Sequence, residues 1–323
     1  MATTTQSVLT NQYQTYFSTK LLDYAIQNLV LDQFALKAEL PKNRGDQTIR
    51  FYRPGVADST QVQSLTEGTP IATFRNISYT NIDVTLVQYG EAAKITDIVT
   101  MTALLDVLKQ TITTMGEDCA LHADTIVRNV LSHATTGLTK RYSGGVATHA
   151  ALQALSNANG KITGADVLDA VTALQVQRAP LVGAAYATMI CPQVQRDLLR
   201  DTDIIDPAKY QDKNVIAKGE IGMAWGARII THTNPFIEDT VEGTYANSGN
   251  KIYSTYVVGR GAYGTPKLAG TQSPLKPSLI INDKADKSDP LNQFMTAGWK
   301  SYWAAATLNA LFGVTLRSRA VFV

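Results

Sequence analysis

The sequence predicts an α+β fold, because three parts of the chain carry three different patterns of apolar residues. Residues 96–134 place apolar side chains at steps of three and four, which is the period of an amphipathic helix. Residues 47–53 and 71–87 instead alternate apolar and polar side chains, which is the period of a strand. From Gly164 to Ile281, short helical and strand patterns alternate. We therefore expect a long helix, an extended hairpin and a mixed α/β module.

Composition restricts the class of protein. The chain has 323 residues, enough for a large core, and a formal net charge of +2, too small to indicate binding to nucleic acid or membranes by bulk charge. No signal peptide is expected in Met1–Phe17, and no apolar run approaches the roughly 20 residues of a membrane-spanning helix. Cys119 and Cys191 are expected to be buried thiols, with a disulfide between them as the alternative.

The N-terminal part is expected to be an arm followed by a helix. Residues 1–20 are rich in Thr, Gln, Ser and Asn, a composition that orders only against another surface. From Leu21 to Leu36 apolar residues return at helical spacing, and Pro41 ends the segment.

An extended hairpin is predicted next. Its first strand is Gln47–Arg53, with Ile49 and Phe51 on one face and Arg50 and Tyr52 on the other. Its second strand is Ile71–Val87, and a polar tip at Ala57–Pro70 joins the two. A two-stranded hairpin is only marginally stable alone, and no packing partner for it is evident within the chain.

A long helix is predicted over Thr96–Ala134, with Thr96 or Asp97 capping its start. At about 1.5 Å per residue it would be roughly 55 to 60 Å long. The β-branched run Thr111–Thr114 and Gly116 weaken the prediction, and a second helix could start at Thr100–Thr102. The predicted apolar stripe comprises Ile98, Met101, Leu105, Leu108, Ile112, Met115, Cys119, Ala123, Ile126 and Val130.

The rest of the chain is predicted to hold shorter elements. A Gly- and Ser-rich connection over 135–164 leads to a helix at Gly164–Val176, whose buried side would contain Val167, Leu168, Val171 and Leu174. Further predicted elements are a strand at Ala184–Ile190, a helix at Pro192–Arg200, strands at Arg228–Thr231, Ile252–Val258 and Ser278–Ile281, and two long strands at Thr296–Thr307 and Phe312–Val323.

Catalytic, cofactor-binding and metal-binding motifs are not evident. The four histidines, His122, His133, His149 and His232, lack the neighbouring ligands of a metal site, and pairs such as Glu117–Asp118 and Asp201–Asp203 fit solvated faces or helix caps. Gly259, Gly261 and Gly264 match a dinucleotide-binding pattern. The following prolines forbid the helix that this pattern needs, so the glycines are expected in turns.

Several short motifs, in their order and spacing, carry a resemblance to a known family. They are Leu29–Phe34 with Pro41–Lys42, Leu65–Gly68, Gln88–Glu91 leading into Thr96–Asp97, Asp124–Arg128, Gly219–Gly222, Gly261–Gly264, and Ser288–Gln293 with Gly298–Lys300. With these motifs the chain resembles the major capsid proteins of tailed double-stranded-DNA bacteriophages, which share the Hong Kong 97 fold.

The resemblance implies an N-terminal arm with a short helix (1–45), an extended loop overlapping a neighbouring subunit (46–93), a peripheral domain with a spine helix and returning strands (94–160 and 288–323), and an axial domain (161–287). It implies a structural protein, not an enzyme, whose hexamers and pentamers form the icosahedral head of a phage around double-stranded DNA. The DNA would be contacted non-specifically, and assembly would take place in the bacterial host cytoplasm. Portal, scaffolding and decoration proteins are implied as partners, without cofactors or a membrane. The alternatives are an encapsulin-like compartment shell and a nucleotide-binding enzyme.

Four charged residues of the hairpin, Arg50, Arg53, Glu67 and Arg75, are candidate contacts between subunits, with ordinary solvated side chains as the alternative. Some relatives of the fold join subunits by an isopeptide bond from a loop lysine. Because residues 43–93 contain no lysine, we expect no such cross-link.

Overall fold

The computed structural model describes residues 30–40, 47–54, 78–103, 106–201, 222–238, 251–268, 278–282 and 290–322, with single positions and short stretches between 62 and 74 and between 242 and 245. Its α-helices are α1 (Asp97–Thr102), α2 (Val107–Ser132), α3 (His149–Ala154), α4 (Gly164–Val176) and α5 (Pro192–Leu199). Two short 3₁₀ helices lie at Leu31–Phe34 and Ala310–Phe312.

The strands are β1 (Leu36–Leu40), β2 (Thr48–Pro54), β3 (Tyr79–Thr85), β4 (Val87–Thr96), β5 (Thr139–Tyr142), β6 (Tyr186–Ile190), β7 (Met223–Ala224), β8 (Ala227–Thr231), β9 (Ile237–Glu238), β10 (Ile252–Val258), β11 (Tyr263–Leu268), β12 (Ser278–Asn282), β13 (Phe294–Trp303), β14 (Ala306–Thr307) and β15 (Gly313–Ser318). They form sheets in the orders β5-β15-β10-β6-β8-β7 with β9 beside β10, β12-β13-β4, β1-β11-β14 and β2-β3.

The largest core lies between the seven-stranded sheet and helices α4 and α5. A capping box starts α4, in which the Thr163 hydroxyl accepts from the Asp166 amide and the Asp166 carboxylate accepts from the Thr163 amide. Pro192 begins α5 at its first position, as predicted. The predicted bounds of α4 are confirmed, but Leu168 is 45% exposed and Ala170 is buried in its place.

The predicted long helix is two helices, α1 and α2. Ala103 adopts an extended backbone that ends α1, and the Asp106 carboxylate caps α2 by accepting from the Lys109 amide at 3.1 Å. Helix α2 has 26 residues, so it is roughly 40 Å long, shorter than the predicted rod. The predicted stripe is buried from Ile112 to Ala123, where it packs on Trp299 and Trp303 of β13.

The N-terminal prediction is wrong where the structure can be compared with it. Of the predicted helix Leu21–Leu36, residues 30–36 are described, and they form a 3₁₀ turn at Leu31–Phe34 that leads into β1. Strand β1 pairs in parallel with β11. The arm itself, residues 1–20, lies outside the described residues.

The hairpin strands are confirmed, but the expectation that they have no packing partner within the chain is wrong. Strands β2 and β3 pair antiparallel, and their apolar face packs on Ala304 and Leu308. Of the predicted strand Ile71–Val87, Tyr79–Thr85 pairs with β2, whereas Val87 begins β4 in another sheet. Most of the predicted tip lies outside the described residues.

The final strands β13, β14 and β15 lie in three different sheets, and β14 pairs with β11. Strand β13 lies under α2, between β12 and β4. Strand β15 instead lies in the seven-stranded sheet between β5 and β10. The two predicted long strands are each shorter, and the predicted 135–164 connection contains β5 and α3.

Candidate functional site

The base of the hairpin is held firmly by its own chain. Ile49, Phe51 and Val84 are buried, and the Arg53 guanidinium donates to the carbonyl oxygen of Leu308 at 3.1 Å. Gly264 lets the Phe51 ring pack close to the backbone of β11, because a Cβ at this position would lie 3.1 Å from that ring. Strands β2 and β3 are therefore fixed against the body of their own subunit.

The outer face of the hairpin carries large exposed side chains. Tyr52 is 67% exposed and Tyr79 is 62% exposed. Between these strands in the sequence, Val62, Leu65 and Phe74 are 79%, 73% and 84% exposed. Because soluble chains seldom expose several large apolar groups without a function, these side chains are suited to contact another protein surface. We call these five residues the hairpin surface.

The predicted contact residues have different roles in the structure. Arg50 makes a two-pronged ion pair with Asp83 on the adjacent strand, at 2.6 and 2.9 Å, and this pairing lowers the pKa of Asp83. Arg53 anchors the hairpin base, and Glu67 is exposed beside Gly68 in a turn. Arg75 lies outside the described residues. The structure does not bring Arg50, Arg53 and Glu67 together into one site.

A second exposed apolar group was missed, because its residues continued the helical period of α2. Ile98, Val99 and Met101 of α1 are 67%, 42% and 82% exposed, and no residue of this helix is buried. Leu291 is 77% exposed, and nearby the Asp97 amide donates to the carbonyl oxygen of Gln293. Ile98 and Met101 lie outside the core, so the predicted apolar stripe is wrong at these two residues.

The sheet below α2 has a shallow depression on its opposite face, with a volume of about 550 Å³. Small residues, Gly90, Ala92 and Gly298, form its floor, and Ile280 and Lys300 lie at its side. A Cβ at Gly90 would lie 2.7 Å from the Trp299 carbonyl oxygen, so glycine is required for these strands to approach. The depression is open to solvent. Because the side chains of its floor are small, the backbone of another chain segment could lie close to it.

The glycine triplet does not form a dinucleotide site. Gly261 has a φ of +81° in a turn, and the chain continues into strand β11 instead of a helix. Within the described parts of the chain, no three His, Cys, Asp or Glu side chains are grouped to hold a metal ion. The helices that the structure describes include none long and apolar enough to cross a membrane.

The thiols and two of the histidines match their predicted roles. Cys119 and Cys191 are buried and unbonded, and burial raises their pKa values to about 12 and about 11. His122 and His133 are exposed on or beside α2.

The sequence motifs that carried the resemblance meet one another in space. Residues 88–91 pair with residues 299–302, and the Trp299 indole donates to the Glu91 carboxylate at 3.2 Å. The Asp124 carboxylate accepts from the Val30 amide at 3.2 Å, and the Tyr263 hydroxyl donates to the Leu31 carbonyl oxygen. Five separate motifs therefore form two structural junctions, one within the sheet beneath α2 and one between α2, the residues before β1 and the start of β11.

Comparison with known families gives a direct match over most of the fold. A family model described as phage capsid protein matches residues 79–315. The chain belongs to the phage capsid protein family. No curated protein matches this capsid protein.

Solved structures similar to this capsid protein come from several phages. The capsid of Ralstonia phage GP4 matches with a TM-score of 0.66 and 15% identity, over 90% of this chain and 88% of that chain. The capsid of cyanophage P-SCSP1u matches with a TM-score of 0.64 and 17% identity, over 89% of this chain and 87% of that chain. The capsid of cyanophage Pam1 matches with a TM-score of 0.63 and 16% identity, over 92% of this chain and 92% of that chain. The capsid protein therefore has the Hong Kong 97 fold, as the resemblance implied, and a structural role in the virion shell.

Proposed function

We propose that copies of this capsid protein form the icosahedral head of a tailed phage, in which the hairpin surface of one subunit packs on the next. The observation that carries the proposal is the combination of a fixed base and an exposed apolar outer face in the same hairpin. Burial of such groups between subunits is favourable at about 25 cal/mol per Å², and each subunit repeats the contact around the shell.

The finer assignments follow from this proposal. Residues 46–93 form the loop between subunits, residues 94–160 and 288–323 the peripheral domain, and residues 161–287 the axial domain, around which hexamers and pentamers close. Residues 1–45 form the N-terminal arm and its attachment, which includes the 3₁₀ turn at Leu31–Phe34 and strand β1. Strand β15 then crosses from the peripheral segment into the sheet of the axial domain.

The shell encloses double-stranded DNA, which it contacts weakly and non-specifically because the net charge is only +2. Assembly takes place in the host cytoplasm, with portal, scaffolding and decoration proteins as further partners. The chain has no catalytic role in this proposal.

Deletion of the tip tests the role of the hairpin. Removal of residues 57–70 leaves strands β2 and β3 and their contacts with Ala304 and Leu308. We expect folded subunits that unfold cooperatively but form no closed shells by electron microscopy, while the full chain forms shells. Normal closed shells from the deletion variant would contradict the proposal. Failure of the full chain to form shells or capsomer rings would contradict the shell function itself.

A further inference from the structure

Strand β4 has one open edge. It pairs with β13 along its whole length, from Val87 opposite Trp303 to Thr96 opposite Phe294, without a bulge. None of the described strands pairs with its other edge. With 10 residues, β4 is the longest strand at a sheet edge in the described parts of the chain. A long, straight edge is a template for another strand, because alternate amides and carbonyls along it are unpaired.

The register shows which backbone groups of β4 point outward. Directly after the strand, the Asp97 amide donates to the carbonyl oxygen of Gln293 at 3.0 Å, so this opposed pair is a hydrogen-bonded one. Hydrogen-bonded and non-hydrogen-bonded pairs alternate in an antiparallel ladder. The even-numbered residues of β4 therefore direct their N–H and C=O groups away from β13. The exposed members of this set are Gln88, Gly90, Ala92 and Lys94.

The side chains of β4 leave this edge uncovered. Natural sheets protect open edges with charged side chains, prolines or bulges. The charged side chains of β4 instead lean towards β13. Glu91 accepts from the Trp299 indole, and the Lys94 amino group lies 3.3 Å from the centre of the Phe294 ring. Ala92, between them, is small, so the backbone of another strand has access to the edge.

We propose that this edge docks a second copy of the capsid protein, with the two β4 edges paired antiparallel about a two-fold axis at Ala92. Such a contact is self-complementary, because the same outward groups meet from both copies. The two three-stranded sheets then join into one continuous sheet. The contact goes beyond the proposed function, since the hairpin takes no part in it.

The sequence of β4 selects the register of this pairing. A two-fold axis through the sheet pairs outward residues with outward residues, and the longest overlaps of β4 with itself place the axis at Glu91 or at Ala92. An axis at Glu91 sets two carboxylates directly opposite each other, which is destabilising. An axis at Ala92 sets Gly90 opposite Lys94 and Glu91 opposite Ala93. No like charges are then opposed.

The helices leave room for this contact. Each α2 packs on Trp299 and Trp303 of β13, and the two β13 strands would lie three strand spacings apart, about 14 Å. Packed helices need only about 8 to 10 Å between their axes. The two copies of α2 therefore lie side by side without overlap.

Disulfide cross-linking of the full chain tests the register. In Ala92→Cys the two thiols meet at the axis, with Cα atoms about 5.5 Å apart, which is within the range of a disulfide. We expect a linked dimer on a non-reducing gel after mild oxidation. The natural thiols, Cys119 and Cys191, are buried and add little background.

Gln88→Cys is the matched control for this experiment. It lies on the same edge and the same exposed face, but its two copies would lie about 27 Å apart. We expect no linked dimer from it. Absence of the Ala92→Cys dimer, or an equal yield from Gln88→Cys, would overturn the proposal. The Ala92→Cys link should also form after removal of residues 57–70, so a link that requires the tip would assign the contact to the hairpin and refute the β4 pairing.

A proline at the edge separates docking from folding. Ala92→Pro removes an outward N–H that β13 does not use, so we expect an unchanged melting temperature and loss of the dimer in sedimentation. Ala93→Pro removes an N–H that faces Ala297 and should destabilise the sheet. A full yield of dimer from folded Ala92→Pro would contradict the proposal.

Hydrogen exchange of the unaltered chain shows whether a second copy or the same chain covers the edge. Amides 88, 90, 92 and 94 should exchange roughly tenfold more slowly in a concentrated sample that sediments as a dimer than in a dilute monomeric one. Amides 89, 91, 93 and 95, which face β13, should be protected equally in both. Protection of the outward amides in the monomer would assign the edge to a segment of the same chain and overturn the proposal, as would rapid exchange in both samples.

Discussion

The Arg317 guanidinium meets the Glu238 carboxylate at 2.6 Å inside the seven-stranded sheet, and neither side chain is exposed to solvent. Arg317 also pairs with Glu242, which accepts hydrogen bonds from Lys140 and Tyr142 and has its pKa lowered to about 2 by these partners. The network joins strands β5, β9 and β15. Removal of Arg317 would leave a buried carboxylate without its counter-charge.

We therefore expect Arg317→Ala to lower the free energy of unfolding by roughly 3 to 5 kcal/mol. Urea unfolding of unassembled subunits measures this change. Arg50→Ala is the matched control, because the Arg50–Asp83 pair is about half exposed and should matter little for folding. Equal losses in the two variants would contradict the importance of the buried pair.

A proline in the middle of α2 should prevent folding. Ile112 is 1% exposed and lies in the contact between α2 and β13, so Ile112→Pro removes a helical hydrogen bond and disturbs this core, at a cost of about 3 kcal/mol or more. We expect loss of soluble protein. Ile98→Pro, in the exposed first turn of α1, should leave soluble protein with a nearly unchanged melting temperature. Soluble Ile112→Pro with native helicity by circular dichroism would be incompatible with the packing described.

Adjacent hairpin residues should respond in opposite ways to the same substitution. Tyr52→Ser changes the exposed outer face, so we expect an unchanged melting temperature and fewer closed shells. Phe51→Ser changes the buried face and should destabilise the hairpin base. Calorimetry and electron microscopy distinguish the two effects. Full shell yield from Tyr52→Ser would remove this residue from the subunit contact.

Acid should destabilise the subunit through His232. Burial lowers the pKa of His232 to about 4, from a usual value of 6.5. The unfolded chain therefore binds a proton near pH 6.5, whereas the folded chain does not until about pH 4, and about 3 kcal/mol of stability is lost as the pH falls through that window. Burial raises the pKa of Asp124 to about 6, so protonation of Asp124 changes stability in the opposite direction, and the comparison is therefore made between variants. His232→Leu should lose less stability than wild type on acidification, and the exposed His122→Leu should match wild type.

Purified particles should dissociate into single chains on a denaturing gel. Residues 43–93 contain no lysine, so the hairpin cannot supply the amine of an isopeptide bond. A ladder of covalent multimers would contradict this expectation.

Sequence patterns predicted those elements whose determinants are local. Helix α4 has the predicted bounds because Thr163 and Asp166 form its cap, and β10 is rich in β-branched and aromatic residues between turn residues. The separation of α1 from α2 was predicted only as an alternative, with the second helix starting at Thr100–Thr102, because Leu105 and Leu108 continue the apolar period across the break, although Asp106 is a typical capping residue. One long helix and two shorter helices both fit the local pattern, and tertiary contacts decide between them.

The candidate site was predictable only in part for the same reason. Alternation placed Tyr52 on the face opposite Phe51, and this is confirmed. The pairing of Arg50 with Asp83 depends on strand register, and the partner of the hairpin base, Leu308, lies more than 200 residues away in the sequence. Neither relationship has a signature within a short stretch of sequence.

The position of β15 has a kinetic consequence. This strand pairs with β10 on one side and with β5, from a segment far earlier in the sequence, on the other. Until residues 313–318 are inserted, the edges of both neighbours remain open, and such non-local pairing is slow to form. We therefore expect completion of the sheet to be a late step in the folding of each subunit, and chains that have not reached it to expose strand edges suited to aggregation rather than to ordered assembly.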